Sequence, residues 1–151
     1  MPDTFHLDDG AYRITRNQGR GNCFFLALAQ AMGFSEADHG AMRDAVCTYL
    51  SGNLQLFAQH PPVGEECEEF VGRMRHNGIY AEGALIEAAA VFYNRPIRII
   101  MIGNAGEGTH IKMMNAEASG PLITLLLSYQ HYELLTKAPL LARTHHQSHS
   151  L

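Results

Sequence analysis

The chain has 151 residues, 46% of them hydrophobic and 17% charged, with a formal net charge of −4; this suits one globular domain with a real core, and the acidic balance argues against nucleic acid as main ligand. Three cysteines with no C-x-x-C pair exclude a disulfide framework and a zinc ribbon, and suit a reducing compartment. The start MPDTFHLDDG has no apolar signal core and no apolar run is long enough to span a bilayer, so a soluble, cytoplasmic, monomeric protein without membrane contact is expected.

Residues 1–10 read as a polar, frayed start. Ala11–Arg16 alternates and includes β-branched residues, which predicts a short strand. Asn17–Asn22 (NQGRGN) is a turn, because its glycines and asparagines permit positive φ. Cys23–Met32 (CFFLALAQAM) has neither Gly nor Pro and is apolar almost all round, the pattern of a buried helix, and Gly33 ends it. Ser35 is an N-cap candidate with Asp38 three residues on, and Ala41, Ala45, Val46 and Leu50 form a helical stripe to about Ser51.

His60–Gly64 (HPPVG) is a loop. Glu65–Arg75 reads as a helix, acidic first and basic last as the helix dipole favours. His76–Gly83 is irregular. Ala84–Tyr93 is an alanine-rich helix broken by Asn94–Pro96, and Ile97–Ile102 (IRIIMI) is a buried strand. Gly103–Gly108 is a hairpin-like turn. Strands are expected at His110–Met114, at Leu122–Leu127 and, after a turn at Ser128–His131, at Tyr132–Leu135. The polar tail begins at Ala138. The order predicts an α+β domain, a small mixed or antiparallel sheet flanked by helices, over residues 11–137, with flexible segments at 1–10 and 138–151.

The turn before Cys23 carries the sharpest chemistry. A helix start bears roughly half a positive charge and amides without intrahelical partners. A thiol there loses its proton more readily, and the same amides can hold an oxyanion. Two readings of Cys23 stand: nucleophile, or small core residue. Cys47 reads as core and Cys67 as incidental.

A cysteine nucleophile needs a base near in space. Among nine histidines, His145, His146 and His149 lie in the tail. His6, His39, His60 and His76 sit in polar loops or on helix faces, and His110 has no close polar partner. His131 differs, since it joins the buried LITLLLSYQ run to the next strand, a rigid mount for a base. Glu133 lies two residues on, on the same strand face. It reads equally as the carboxylate that orients the imidazole and as a solvated edge charge.

These segments together resemble the ovarian-tumour (OTU) family of cysteine proteases and deubiquitinases. GRGNCFFLALAQAM is similar to its G-D-G-N-C signature and MRDAVCTYL to its M/L-R-x-x-x-x-x-Y/F-L helix. FVGRMRHNGIYAEGALIEAAAVFYNRPIRIIMI resembles the run Y-x-x-M-x-x-x-x-x-W-G-G-x-x-E-L-x-A-A-A, and LITLLLSYQHYELL resembles I-x-L-x-Y-x-x-x-H-Y-N/D. The motifs occur in order over about Ile14–Leu135.

The resemblance implies a papain-like OTU fold and hydrolysis of bonds after the C-terminal glycine of ubiquitin. Cys23 takes the nucleophile's place and His131 the base's. Glu133 falls where the family has Asn or Asp. Backbone of Arg20, Gly21 and Asn22 would border the oxyanion, and Gly19, Tyr80, Ala81, Glu82 and Tyr132 the substrate channel. Two positions depart. Arg20 replaces the signature aspartate, leaving its guanidinium to pair with an acid or to aid the anionic intermediate. Tyr80–Ala81–Glu82 replaces W-G-G. No metal or cofactor is implied. The partner implied is ubiquitin or polyubiquitin, which has a basic face, or a ubiquitin-like modifier. Other readings are an inactive ubiquitin-binding module or a protease acting on a polyprotein. A host-cytosol effector, a viral domain and a piece of a larger protein all fit so small a domain.

Overall fold

A computed structural model describes residues 3–103 and 108–138. Six strands form one sheet: β1 Thr4–Leu7, β2 Gly10–Thr15, β3 Ile97–Ile102, β4 Thr109–Met114, β5 Ile123–Ser128 and β6 His131–Lys137. Their spatial order is β1-β2-β6-β5-β3-β4. Only β3 and β5 pair in parallel; the other neighbours are antiparallel. The α-helices are α1 Cys23–Met32, α2 His39–Ser51, α3 Cys67–Met74 and α4 Gly83–Phe92, with short 3₁₀ turns at Glu36–Asp38 and Leu54–Ala58. The α+β expectation holds.

The apolar run of α1 explains its place. Every residue from Cys23 to Ala29 is buried, because α1 lies between β6 and α2. Gly33 closes it in the left-handed conformation, φ 74°. Alternation along the strands then divides the apolar residues between two faces. Ile97, Ile99, Ile123, Leu125, Tyr132 and Leu134 join the core under the helices. Ile100, Leu126 and Leu135 face the other way and form a smaller cluster with Tyr12 and Ile14 of β2.

Two sequence expectations change. Thr4–Leu7 is a strand paired with β2, so the start of the chain is not frayed there. Phe5 and Leu7 pack against the smaller cluster, which gives a polar segment a reason to order. Leu54–Ala58 makes a 3₁₀ turn around buried Phe57 that no periodicity announced. At the turn after β3, Gly103 N–H donates to the Gly108 carbonyl at 2.9 Å; positions 104–107 and the tail from 139 lie outside the described residues. Among the described residues no helix is long and apolar enough to cross a membrane.

Candidate active site

The site forms where the head of α1 meets the β5–β6 hairpin. The turn ahead of α1 runs through three successive left-handed residues: Gly19 (φ 76°), Arg20 (φ 58°) and Gly21 (φ 84°). Glycine is required at two of them. A methyl group on Gly19 would lie 2.6 Å from His131 Nδ1, and one on Gly21 would lie 1.7 Å from the Gly78 carbonyl oxygen. The turn is thus wedged between the His131 ring and the loop after α3. Asn17 spans it from below, its Nδ2 donating to the Tyr132 carbonyl and its Oδ1 accepting from Gly19 N–H.

Cys23 is the first residue of α1. Its thiol donates to the Gln130 carbonyl at 3.7 Å. Amides of Tyr132, Phe24 and Cys23 itself reach the sulfur. The sulfur therefore lies against the backbone on both sides of His131. The sequence expectation of a lowered thiol pKa is corrected: burial pushes the Cys23 thiol up, and the amides together with the Arg43 charge pull it down less. The residue is only 1% exposed, and desolvation of the charged form outweighs the helix start.

His131 opens β6. Its Nε2 lies 3.2 Å from Glu133 Oε2. A carboxylate can only accept, so this contact favours a ring proton on Nε2 and leaves Nδ1, against Gly19, for chemistry. Glu133 is 8% exposed, and its Oε1 accepts from Arg16 Nη1 at 2.8 Å. Of the two readings of Glu133, the solvated edge charge is overturned. The hairpin beside it turns through Tyr129 (φ 51°) and Gln130 (φ 61°). Among the described residues, the positive-φ positions that are neither Gly nor Asn are Arg20, Tyr129 and Gln130. All three border the Cys23–His131 junction. Side chains in that region cost about 1–2 kcal/mol each, so strain is concentrated where the two elements meet.

The remaining expected residues divide. Asn22 does not offer its amide, which donates to the Gly19 carbonyl at 3.2 Å; its side chain accepts from Gly78 N–H at 2.8 Å instead. The Arg20 side chain is exposed, and no ion pair from it to an acid is found among the described residues, so the expected pairing is not made. Tyr80, Ala81, Glu82 and Tyr132 line a cavity of about 230 Å³; Gly19 stands apart from it, against His131. Ala81 is itself buried, and Glu82 is drawn to Arg73. Tyr132 is buried between Phe24, edge-on, and Tyr80, stacked at 5.7 Å. Its ring walls the cavity while its amide meets the Cys23 sulfur.

Sequence reading passed over Arg43. It is 2% exposed, lies over the Phe25 ring, and has no carboxylate on it among the described residues. Its guanidinium donates to the carbonyls of Met74 (2.7 Å), Gly21 (3.0 Å) and Ile79 (2.8 Å) and to Asn22 Oδ1 (3.3 Å). It ties the turn before Cys23 to the loop after α3. A signal existed, because Arg43, Val46, Cys47 and Leu50 share the i, i+3, i+4, i+7 stripe that α2 buries. Cys47 is core, as expected, at 0% exposure. Among the described residues no group of three or more His, Cys, Asp or Glu is placed to hold a metal ion.

A thiol heading a buried central helix, beside an imidazole and carboxylate on the facing strand, places this domain in the papain-like class. The comparisons with known proteins narrow that class. The family model for OTU-like cysteine proteases matches residues 18–136. A curated relative, OVARIAN TUMOR DOMAIN-containing deubiquitinating enzyme 6 of Arabidopsis thaliana, is 32% identical over 121 residues, 80% of this chain and 23% of that protein. OTU domain-containing protein 5-A of Xenopus laevis is 26% identical over 64% of this chain and 18% of its own length. The chain thus spans about a quarter or less of these relatives. Among solved structures, the OTUD1 OTU domain superposes with TM-score 0.70 at 22% identity, covering 83% of this chain and 86% of its own. The Hazara virus OTU bound to ubiquitin gives 0.74 at 13%, covering 90% and 87%. At such identity these structures show the fold. The chain belongs to the OTU family of cysteine proteases.

Proposed function

We propose that this domain is a cysteine-type deubiquitinase, cleaving after the C-terminal glycine of ubiquitin. The observation that carries the reading is the Cys23 sulfur seated against the backbone flanking His131, whose Nε2 is held by Glu133. In this reading His131 Nδ1 takes the Cys23 proton and the thiolate attacks the carbonyl of the terminal glycine. The tetrahedral oxyanion is held by amides at the turn and the head of α1, about 3 kcal/mol per donor. Arg20 and Gly21 border it, and Asn22 acts by pinning the turn. His131 then protonates the leaving amine, and water releases the thioester. The cavity edged by Tyr80 and Tyr132 is the place for the substrate tail. OTU structures bound to ubiquitin support ubiquitin as the partner, and the domain is read as a cytoplasmic monomer.

Burial of Cys23, with its raised thiol pKa, favours a second reading, a ubiquitin-binding module that does not turn over. A ubiquitin carrying a C-terminal electrophile separates the two. The enzyme is captured covalently and loses capture in Cys23→Ala; the module binds reversibly in both forms. Cleavage of a panel of differently linked diubiquitins then measures the activity. No capture and no cleavage by the native chain would rule the enzyme out, and capture of probes built on other modifiers would redirect the substrate.

A further inference from the structure

The third member of the constellation is a glutamate where the family has Asn or Asp, and the longer side chain has one more torsion to fix. Aligning it needs a second contact, and the structure has one. The β2–β6 register pairs Ile14 with Leu135 and Thr15 with Leu134; continued by one residue, it sets Arg16 opposite Glu133. Directly opposed opposite charges are the stabilising cross-strand case. Arg16 Nη1 donates to Oε1 at 2.8 Å while Oε2 faces His131 Nε2 at 3.2 Å. The two carboxylate oxygens are divided between the two partners. Glu133 is nearly buried, with 10% side-chain exposure, whereas the Arg16 side chain is 39% exposed. A carboxylate so far from water is held in place only by its donors.

The geometry points to Arg16 as a positioning residue for the reaction proposed above. It fixes the Glu133 carboxylate so that His131 keeps its proton on Nε2 and presents Nδ1 toward the Cys23 side. The backbone of Arg16 is placed independently of this pair, since its carbonyl accepts from Gln30 Nε2 of α1 at 3.1 Å. Its Nε also lies 3.7 Å from Asp3, whose side chain is 73% exposed; that contact is at the surface and contributes little.

The test uses the full chain and has two arms. In the first, hydrolysis of a ubiquitin C-terminal fluorogenic amide is measured. Arg16→Ala lowers kcat about tenfold with KM nearly unchanged, the scale of one charge-assisted hydrogen bond between coupled groups. In a Glu133→Asn background, where the family's own residue replaces the long carboxylate, Arg16→Ala changes kcat by less than about twofold. Asp3→Ala leaves kcat as it is. An equal loss in both backgrounds, or no loss in the native one, overturns the proposal. The second arm needs no turnover. Long-range ¹H–¹⁵N spectra of His131 show the Nε2–H tautomer in the native chain and in Arg16→Lys, and a mixture in Arg16→Ala. An unchanged tautomer overturns the proposal. A native chain that hydrolyses nothing sinks the deubiquitinase reading alone, and the spectra still decide the role of Arg16.

Discussion

The two halves of the site are held by arginines that do opposite things. Arg43 is buried and its donors go chiefly to backbone carbonyls, so what it fixes is the path of the chain at Gly21–Asn22 and Met74–Ile79. Arg16 is partly exposed and grips the side chain of Glu133, so what it fixes is the aim of one carboxylate. The nucleophile's half is therefore shaped as backbone and belongs to folding. The base's half is shaped as side chains on a strand edge, and it can lose its aim without losing the fold.

Breaking the first half should give the largest effect. Arg43→Met removes donors from three carbonyls at once, one buried and two partly buried, and should cost about 4 kcal/mol of unfolding free energy, with activity lost as the turn shifts. Urea titration measures it. A loss below about 1 kcal/mol would show that water replaces the guanidinium.

Alkaline pH presses on the same half more gently. Burial raises the thiol pKa of Cys23 and Cys47 in the fold above the ordinary 9.0. Below 9.0 both folded and unfolded chains hold these protons and the full stability is present. Above it the unfolded chain releases them first, so stability is lost as pH climbs toward the folded-state values. The slope is at most about 1.4 kcal/mol per pH unit per thiol. Denaturation curves between pH 8 and 10 check the sign, and a stability that rises over that range would contradict it.

The smallest effect sharpens the other half. Tyr129→Asn with Gln130→Gly places residues suited to two left-handed positions in the β5–β6 turn. The pair should add about 1 kcal/mol of stability. If strain in this turn also holds the Gln130 carbonyl over the sulfur, the variant's Cys23 will react with iodoacetamide at an altered rate. An unchanged rate would leave the strain with no link to the thiol.

Much of this was legible in the chain. Helix α1 falls on Cys23–Met32 and strand β3 on Ile97–Ile102 as read, because runs with one dominant apolar signal and a clear stop specify their own limits. The motif order announced the family, and with it the α+β fold. The chemistry of the site was only half legible. Cys23, His131 and Glu133 could be named as candidates, but the raised thiol pKa could not, since it depends on how deeply α1 is covered. Thr4–Leu7 was missed because its order comes from pairing with β2 and packing on Tyr12 and Ile14, contacts its own composition does not reveal.

By itself the sequence determined most of the helices and strands and the glycine-bearing turn before the cysteine, for these follow from neighbours a few residues apart. Only the tertiary structure decided that Arg16 meets Glu133 across 117 positions and that Arg43 reaches back 22 positions to the turn at Gly21. Charges carry no periodic signature of their partners, so their pairing is settled by the register of the sheet and the packing of α2.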